Sequence, residues 1–287
     1  MNRQRRIEKG MKAIFMGSAL ASILAVGLIC LFLFANGIPA IGKIGVFEFL
    51  LGREWAPNDI PPAYGILPMI LGSLYVTAGA ILIGVPIGIF TAVFMSRTCP
   101  KALYKVVKPA VDLLSGIPSV VYGFFGLVTI VPMVRGLFGG NGSSILSASI
   151  LLGLMILPTV IVISESAIRA VPGELYDSAL ALGASKERAV FFVVLPAAKS
   201  GILAAVVLGI GRAIGETMAV IMVAGNQARM PAGIFKGIRT LTANIVLEMG
   251  YAAELHREAL IATGVVLFVF ILLINLLFSA LRKDRKQ

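Results

Sequence analysis

Charge is scarce in this chain. Acidic and basic side chains make up 14% of its 287 residues, where a soluble domain carries about a quarter. There are two cysteines, Cys30 in an apolar run and Cys99 in a basic loop, and one histidine, His256. Two isolated thiols give no disulfide framework and read as free, and no second His or Cys is placed to share a metal with His256. No G-x-S-x-G nucleophile turn exists. His256, at the outer boundary of the last apolar run, reads as an interfacial residue. Residues 37–44, GIPAIGKI, have the G-x-x-x-x-G-K spacing of a phosphate loop. Ile44 stands where Ser or Thr would hold magnesium, and no strand–loop–helix surrounds it, so the match reads as chance. The inventory therefore excludes an enzyme with its own nucleotide site, and any nucleotide that drives the protein sits on another chain.

What the chain has instead is apolar length. Hydrophobic residues make up 58% and the mean hydropathy is +0.96. The first apolar run, 13–34, holds 22 uncharged residues, about 33 Å of helix and enough to cross a bilayer core. The basic tail before it looks like a signal-peptide start. The run is longer than a signal core and no small-residue cleavage site follows, so it reads as a retained anchor. Further runs cover 66–95, 113–134, 145–168, 202–224 and 259–281. The expected fold is all-α: a polytopic membrane protein with about six transmembrane helices. The second run is too long for one straight crossing, and Pro68 and Pro86 are expected to end or kink it, or its first turns to project.

Six crossings place both termini on one side. The termini and the connections after the second and fourth runs carry seventeen of the 25 basic residues, so that side is expected to be the cytoplasm. The net charge of +11 is thus a topology signal for a protein in membrane lipid, and nucleic-acid binding is a poor reading of it. The outer segment 36–63 reads as a loop with one short helix. The longer outer connection, 225–257, contains an apolar stretch at 234–247 that is too short to span, and an interfacial or re-entrant helix is expected there.

The inner connection ELYDSALALGASKERAVFFVVLPAAKSG, 174–201, predicts a helix pair hinged at Gly183, where a tight turn with positive φ is needed. Periodicity alone fits an ordinary surface hairpin. The spacing of Asp177, Ser178, Ala179, Gly183, Val193, Leu195 and Pro196 resembles the EAA motif of binding-protein-dependent ABC importer permeases. Asp and Ser stand where that motif has Glu and Ala. Of two further stretches, LLSGIPSVVYGF (113–124) resembles the signature of phosphate-transport permeases, and GRAIGETMAVIMVAGN (211–226) resembles the PstC family among them.

The resemblance covers about 71–281 and implies a type I importer permease fold. Residues 1–70 would be the N-terminal tail, first helix and outer loop. Residues 71–281 would be the permease domain with its coupling loop at 172–200, and 282–287 a basic cytoplasmic tail. Glu174, Asp177, Ser178, Ala179, Gly183, Leu195 and Pro196 would form the part that docks in the ATPase. The implied partners are a PstA-like sister permease, a PstB-like ATPase dimer and a PstS-like extracytoplasmic phosphate-binding protein. ATP and Mg would lie on the ATPase and no cofactor on this chain, and the location would be a prokaryotic plasma (inner) membrane.

Arg212 and Glu216 stand four apart within the fifth run, an arrangement that puts both on one helix face near mid-membrane. Intramembrane charges face a bundle interior or a polar cavity. One reading makes Arg212 the donor to a phosphate oxyanion, Glu216 the group that holds Arg212 when the path is empty, and Thr217 and Ser119 part of the lining. The other makes the pair a salt bridge that locks the fifth helix. Gly209, Gly211 and Gly215 either allow close helix approach or leave space beside the charges. Glu165 and Arg169 read as a pair anchoring the fourth helix, with a gate role as the alternative. Gly84 and Gly88 read as a helix-packing G-x-x-x-G. For the whole chain, permeases for molybdate, sulfate or phosphonate stay open, as does a proton-coupled secondary transporter.

Overall fold

The computed structural model describes residues 2–283, with side chains from 7 to 277. Residues 284–287 of the expected basic tail, and the side chains of Arg282, Lys283, Arg3, Arg5 and Arg6, lie outside what is described.

Helix α1 (Asn2–Ile44) runs ten residues past the first apolar stretch, through Pro39, so the outer loop expected from Asn36 begins later. GIPAIGKI is therefore helical, with no loop to cradle phosphate. Gly45, at φ +100°, turns the chain into α2 (Val46–Leu51). A two-residue hairpin follows, β1 (Trp55–Ala56) against β2 (Ala63–Tyr64), antiparallel with Trp55 opposite Tyr64. Helix α3 (Leu67–Val93) carries Pro68 in its first turn, where no amide bond is lost, and continues through Pro86. A π-helical turn, Phe94–Thr98, ends it.

Helix α4 (Lys101–Gly116) corrects an expectation. Its lysines read as a basic connection, and Leu113 as the start of the third span. Instead Ile117 and Pro118 are extended, and the third span starts beyond them as α5 (Ser119–Phe125), a π turn and α6 (Val131–Phe138). Ser144 caps α7 (Ile145–Arg169), its hydroxyl accepting from the Ser147 amide at 3.2 Å. Then come α8 (Gly173–Ala181), α9 (Lys186–Ala189), a π turn at Val190–Val194, α10 (Leu195–Gly215), α11 (Met218–Val223), α12 (Leu241–Glu248) and α13 (Glu254–Lys283). Among the described residues, six helices are long and apolar enough to cross a membrane.

Helix α7 is the axis of the bundle: two-thirds of its most apolar stretch is buried, while the corresponding stretch of α1 buries nothing. Lipid tails are as apolar as leucine, so helices in a membrane associate by close packing. Glycines allow it here. A Cβ on Gly84 would stand 2.6 Å from the Gly153 carbonyl, and one on Gly88 would stand 2.7 Å from Val160. Buried Leu151, Met155 and Ile156 of α7 then meet Val76 and Ala80 of α3 and Ala213, Val220 and Val223 of the fifth span.

The end of the bundle where α1 closes has a second core, in which Phe49, Trp55, Tyr64 and Met69 pack on Leu241 and Leu260. Buried Glu248 ties it together, accepting from Trp55 Nε1 at 2.9 Å, lying 2.8 Å from His256 Nε2 and pairing with Arg239. His256 is thus a buried partner of Glu248. Helix α12 packs against α3, the Leu241 amide donating to Ser73 Oγ at 3.0 Å.

Candidate functional site

The fifth span, expected over 202–224, is not one helix. A continuous helix runs from Lys186 to Gly215, then breaks, and α11 resumes at Met218. Glycine is a poor helix former, and after Gly215 the Glu216 backbone is extended (φ −71°, ψ 129°). The break reorients the two charges.

Arg212 lies in the last turn of α10, part-buried, and its Nη1 donates to Thr159 Oγ1 of α7 at 3.2 Å. Thr159 is 14 residues into the 25 of α7, so the guanidinium lies level with the middle of that helix. Glu216 does not hold Arg212. Its Oε1 accepts from the backbone amides of Thr217 and Ala219, both at 3.2 Å, and so satisfies donors that the start of α11 would otherwise leave free. No ion pair joins the two residues among those described. The shared helix face read from the spacing is therefore corrected, as are the counter-ion role given to Glu216 and the locking salt bridge.

Around the break, the three glycines divide. Gly209 packs, a Cβ there standing 3.2 Å from Val160, whereas Gly211 and Gly215 have nothing within 4 Å of that position. Thr217 is half-buried and its hydroxyl donates to the Gly215 carbonyl at 3.3 Å. Sequence reasoning missed two residues. Thr159 holds Arg212, and buried Thr242 of α12 donates from Oγ1 to the Glu216 carbonyl at 3.1 Å, fixing the break to the second core. Both are ordinary hydroxyls in apolar surroundings, and nothing in their local sequence separates them from helix-bonded threonines.

The hairpin of α8 and α9, read from sequence as a coupling loop, lies at the opposite end of α10. Glu174, Asp177 and Ser178 are exposed, Ala179 is half-buried, and no residue of α8 is buried. Leu182 is 90% and Phe192 76% exposed, an apolar display that a protein surface rarely leaves uncovered. Gly183 takes the expected positive φ, +87°, and the Ala184 amide donates to the Ala179 carbonyl at 3.1 Å. Ser185 caps α9 through the Arg188 amide. Pro196 stands in the first turn of α10 beyond Leu195, and the wider π turn at Val190–Val194 directly precedes it. A proline removes one i→i−4 bond, and the wide turn lets the helix continue past the gap. The second arm of the hairpin and the fifth span are consequently one helix of 30 residues, about 45 Å long.

Two clusters brace the hairpin end. Glu165 is buried, accepting from Tyr104 at 2.7 Å and Arg169 Nε at 2.7 Å, with Lys108 Nζ at 3.6 Å. Arg169 also donates to the Met95 carbonyl at 2.9 Å. Helices α3, α4 and α7 are joined there, which fits the anchoring reading. The Tyr104 phenol is shifted upward chiefly by its hydrogen bond to that carboxylate. Arg97 donates to the Ile168 carbonyl at 3.1 Å and lies over the Tyr176 ring of α8 at 5.5 Å.

Residues 84–287 match the family described as binding-protein-dependent transport system inner membrane component. The chain is 40% identical to the probable ABC transporter permease protein YqgH of Bacillus subtilis, over 97% of this chain and 93% of that protein. It is 34% identical to the phosphate transport system permease protein PstC of Mesorhizobium japonicum, over 90% and 84%. Among solved structures, an inward-facing MetNI methionine ABC transporter chain superposes with a TM-score of 0.61 at 20% identity, over 77% of this chain and 98% of that one. That last similarity speaks to the fold.

Proposed function

Because the chain belongs to the binding-protein-dependent transport system inner membrane components, a multi-pass permease subunit of an ABC importer, we propose that its cargo is inorganic phosphate. PstC proteins are among its relatives over most of its length. The observation that carries a site is the break at Gly215: a half-buried guanidinium with no carboxylate partner, beside a face where Gly211 and Gly215 meet nothing. In this reading the PstA-like sister permease covers that face, and the path runs between the two chains. Arg212 offers its planar donor fork to the anion, a geometry suited to phosphate oxygens. Thr159 holds the guanidinium between passages. Glu216 and Thr242 keep the break rigid, and Thr217 lines its rim. Weak, reversible binding is what passage requires.

The hairpin supplies the drive. Its exposed apolar and acidic residues, Glu174 to Leu182, dock in a PstB-like ATPase that binds ATP and Mg. A PstS-like binding protein delivers phosphate at the other end, both termini are cytoplasmic, and the membrane is the prokaryotic plasma membrane. Since α9 and α10 form one helix, displacement of the hairpin moves Arg212 directly. YqgH carries no substrate in its name, and a guanidinium accepts any tetrahedral oxyanion, so the second reading is a different oxyanion.

Reconstitution with the four partner chains tests both, reading labelled phosphate uptake with sulfate as competitor. Phosphate uptake that needs ATP and resists sulfate is the expected result. A charge-assisted hydrogen bond contributes about 1.5–3 kcal/mol, so Arg212→Ala is expected to lower uptake about 10- to 100-fold while the complex and ATPase binding persist. Uptake driven by a proton gradient without ATP would contradict the reading.

A further inference from the structure

The end of α3 and the hairpin enclose a cavity of about 340 Å³ that lies outside the proposed substrate path. Arg97 and Thr98 of the π turn form one wall, Tyr176 of α8 and Lys186 and Glu187 of α9 the other, with Val190 on an apolar floor. Two cations face one carboxylate, so the cavity is net positive. The Arg97 guanidinium spends one nitrogen on the Ile168 carbonyl and lies over the Tyr176 ring. Its Nε is buried with no acceptor. An unsatisfied buried donor is costly, and the guanidinium that carries it lines the cavity.

We propose that this cavity binds a phosphate group, clamped between Arg97 at the end of α3 and Lys186 on α9. Guanidinium matches phosphate oxygens through paired N–H groups, and a lysine adds a point charge. Two sources share that chemistry: the headgroup of an anionic phospholipid, whose first methylenes would lie on Val190, and free inorganic phosphate. Basic pockets between helices at the inner membrane face are suited to lipid headgroups. The bound group ties α9 to α3, and because α9 continues into α10, it sets how freely the hairpin moves. Placing this end in the cytoplasm rests on the reading above, but binding does not.

The test uses the full chain with its co-purifying partners in nanodiscs, reading hydrogen–deuterium exchange of residues 174–191. One arm compares phosphatidylcholine alone with phosphatidylcholine containing phosphatidylglycerol. The second adds inorganic phosphate to phosphatidylcholine discs. Slowing of about tenfold in the first arm assigns the lipid headgroup, and in the second the free anion. Equal exchange in all conditions overturns the site. Arg97→Gln also removes the bond to Ile168, so Lys186→Gln, on an exposed side chain, is the decisive variant. It is expected to abolish the slowing, and an unchanged response would overturn the clamp. The slowing is expected to survive Arg212→Ala, which separates this cavity from the transport path whatever the cargo.

Discussion

Arg212 donates to Thr159 rather than to Glu216, and the difference changes what each side chain is for. A carboxylate that neutralised Arg212 would compete with an anion, whereas one bound to the Thr217 and Ala219 amides leaves the guanidinium available. Glu216→Gln keeps an acceptor oxygen at the cap and is expected to preserve both uptake and phosphate affinity. Glu216→Ala is expected to cost about 1 kcal/mol, seen as a lower melting temperature of the purified complex. A counter-ion role would give the reverse: tighter phosphate retention in Glu216→Gln. The two charges stood out in the sequence because no other charged residue lies between Lys199 and Arg229. Their geometry was hidden, since spacing of four implies a shared face only if the helix continues, and Gly215 ends it.

The six spanning helices were legible, while helix limits and the amphipathic α4 were not. Apolar runs marked all six spans. The fifth was placed too late because hydropathy averages over a break, and the third too early because Leu113 and Leu114 belong to the apolar face of α4 and merge with the run beyond Pro118. A short helix within 234–247 was foreseen, and α12 is one, but its bond to Ser73 depends on a contact 168 residues away. The glycine pair of α3 was read correctly, for its spacing states the packing distance. Gly84→Leu would drive a side chain into the Gly153 carbonyl and Ile156. Overpacking costs about 1–3 kcal/mol, and a drop in melting temperature with reduced yield of assembled complex is expected. Gly211→Leu, on the open face of the isolated chain, is expected to leave the melting temperature of that chain unchanged.

At the scale of the whole molecule, the continuous helix from Lys186 to Gly215 joins the exposed hairpin to the break beside Arg212, and α7 holds both ends in place. The motif at 177–196 pointed to the dock and the charges to the path. That one helix links them was not legible, because Pro196 reads as a boundary and the π turn that carries the helix past it leaves no mark in the sequence. The account requires the face at Gly211 and Gly215 to be wet in the assembled transporter. Thiol accessibility measures this directly, once the free thiols Cys30 and Cys99 are replaced by serine. In the reconstituted complex, Gly215→Cys should react with a water-soluble thiol reagent, at rates that change between ATP-bound and nucleotide-free states, while Gly209→Cys should stay unreactive. A transport-competent complex in which Gly215→Cys is sealed in both states would contradict the account.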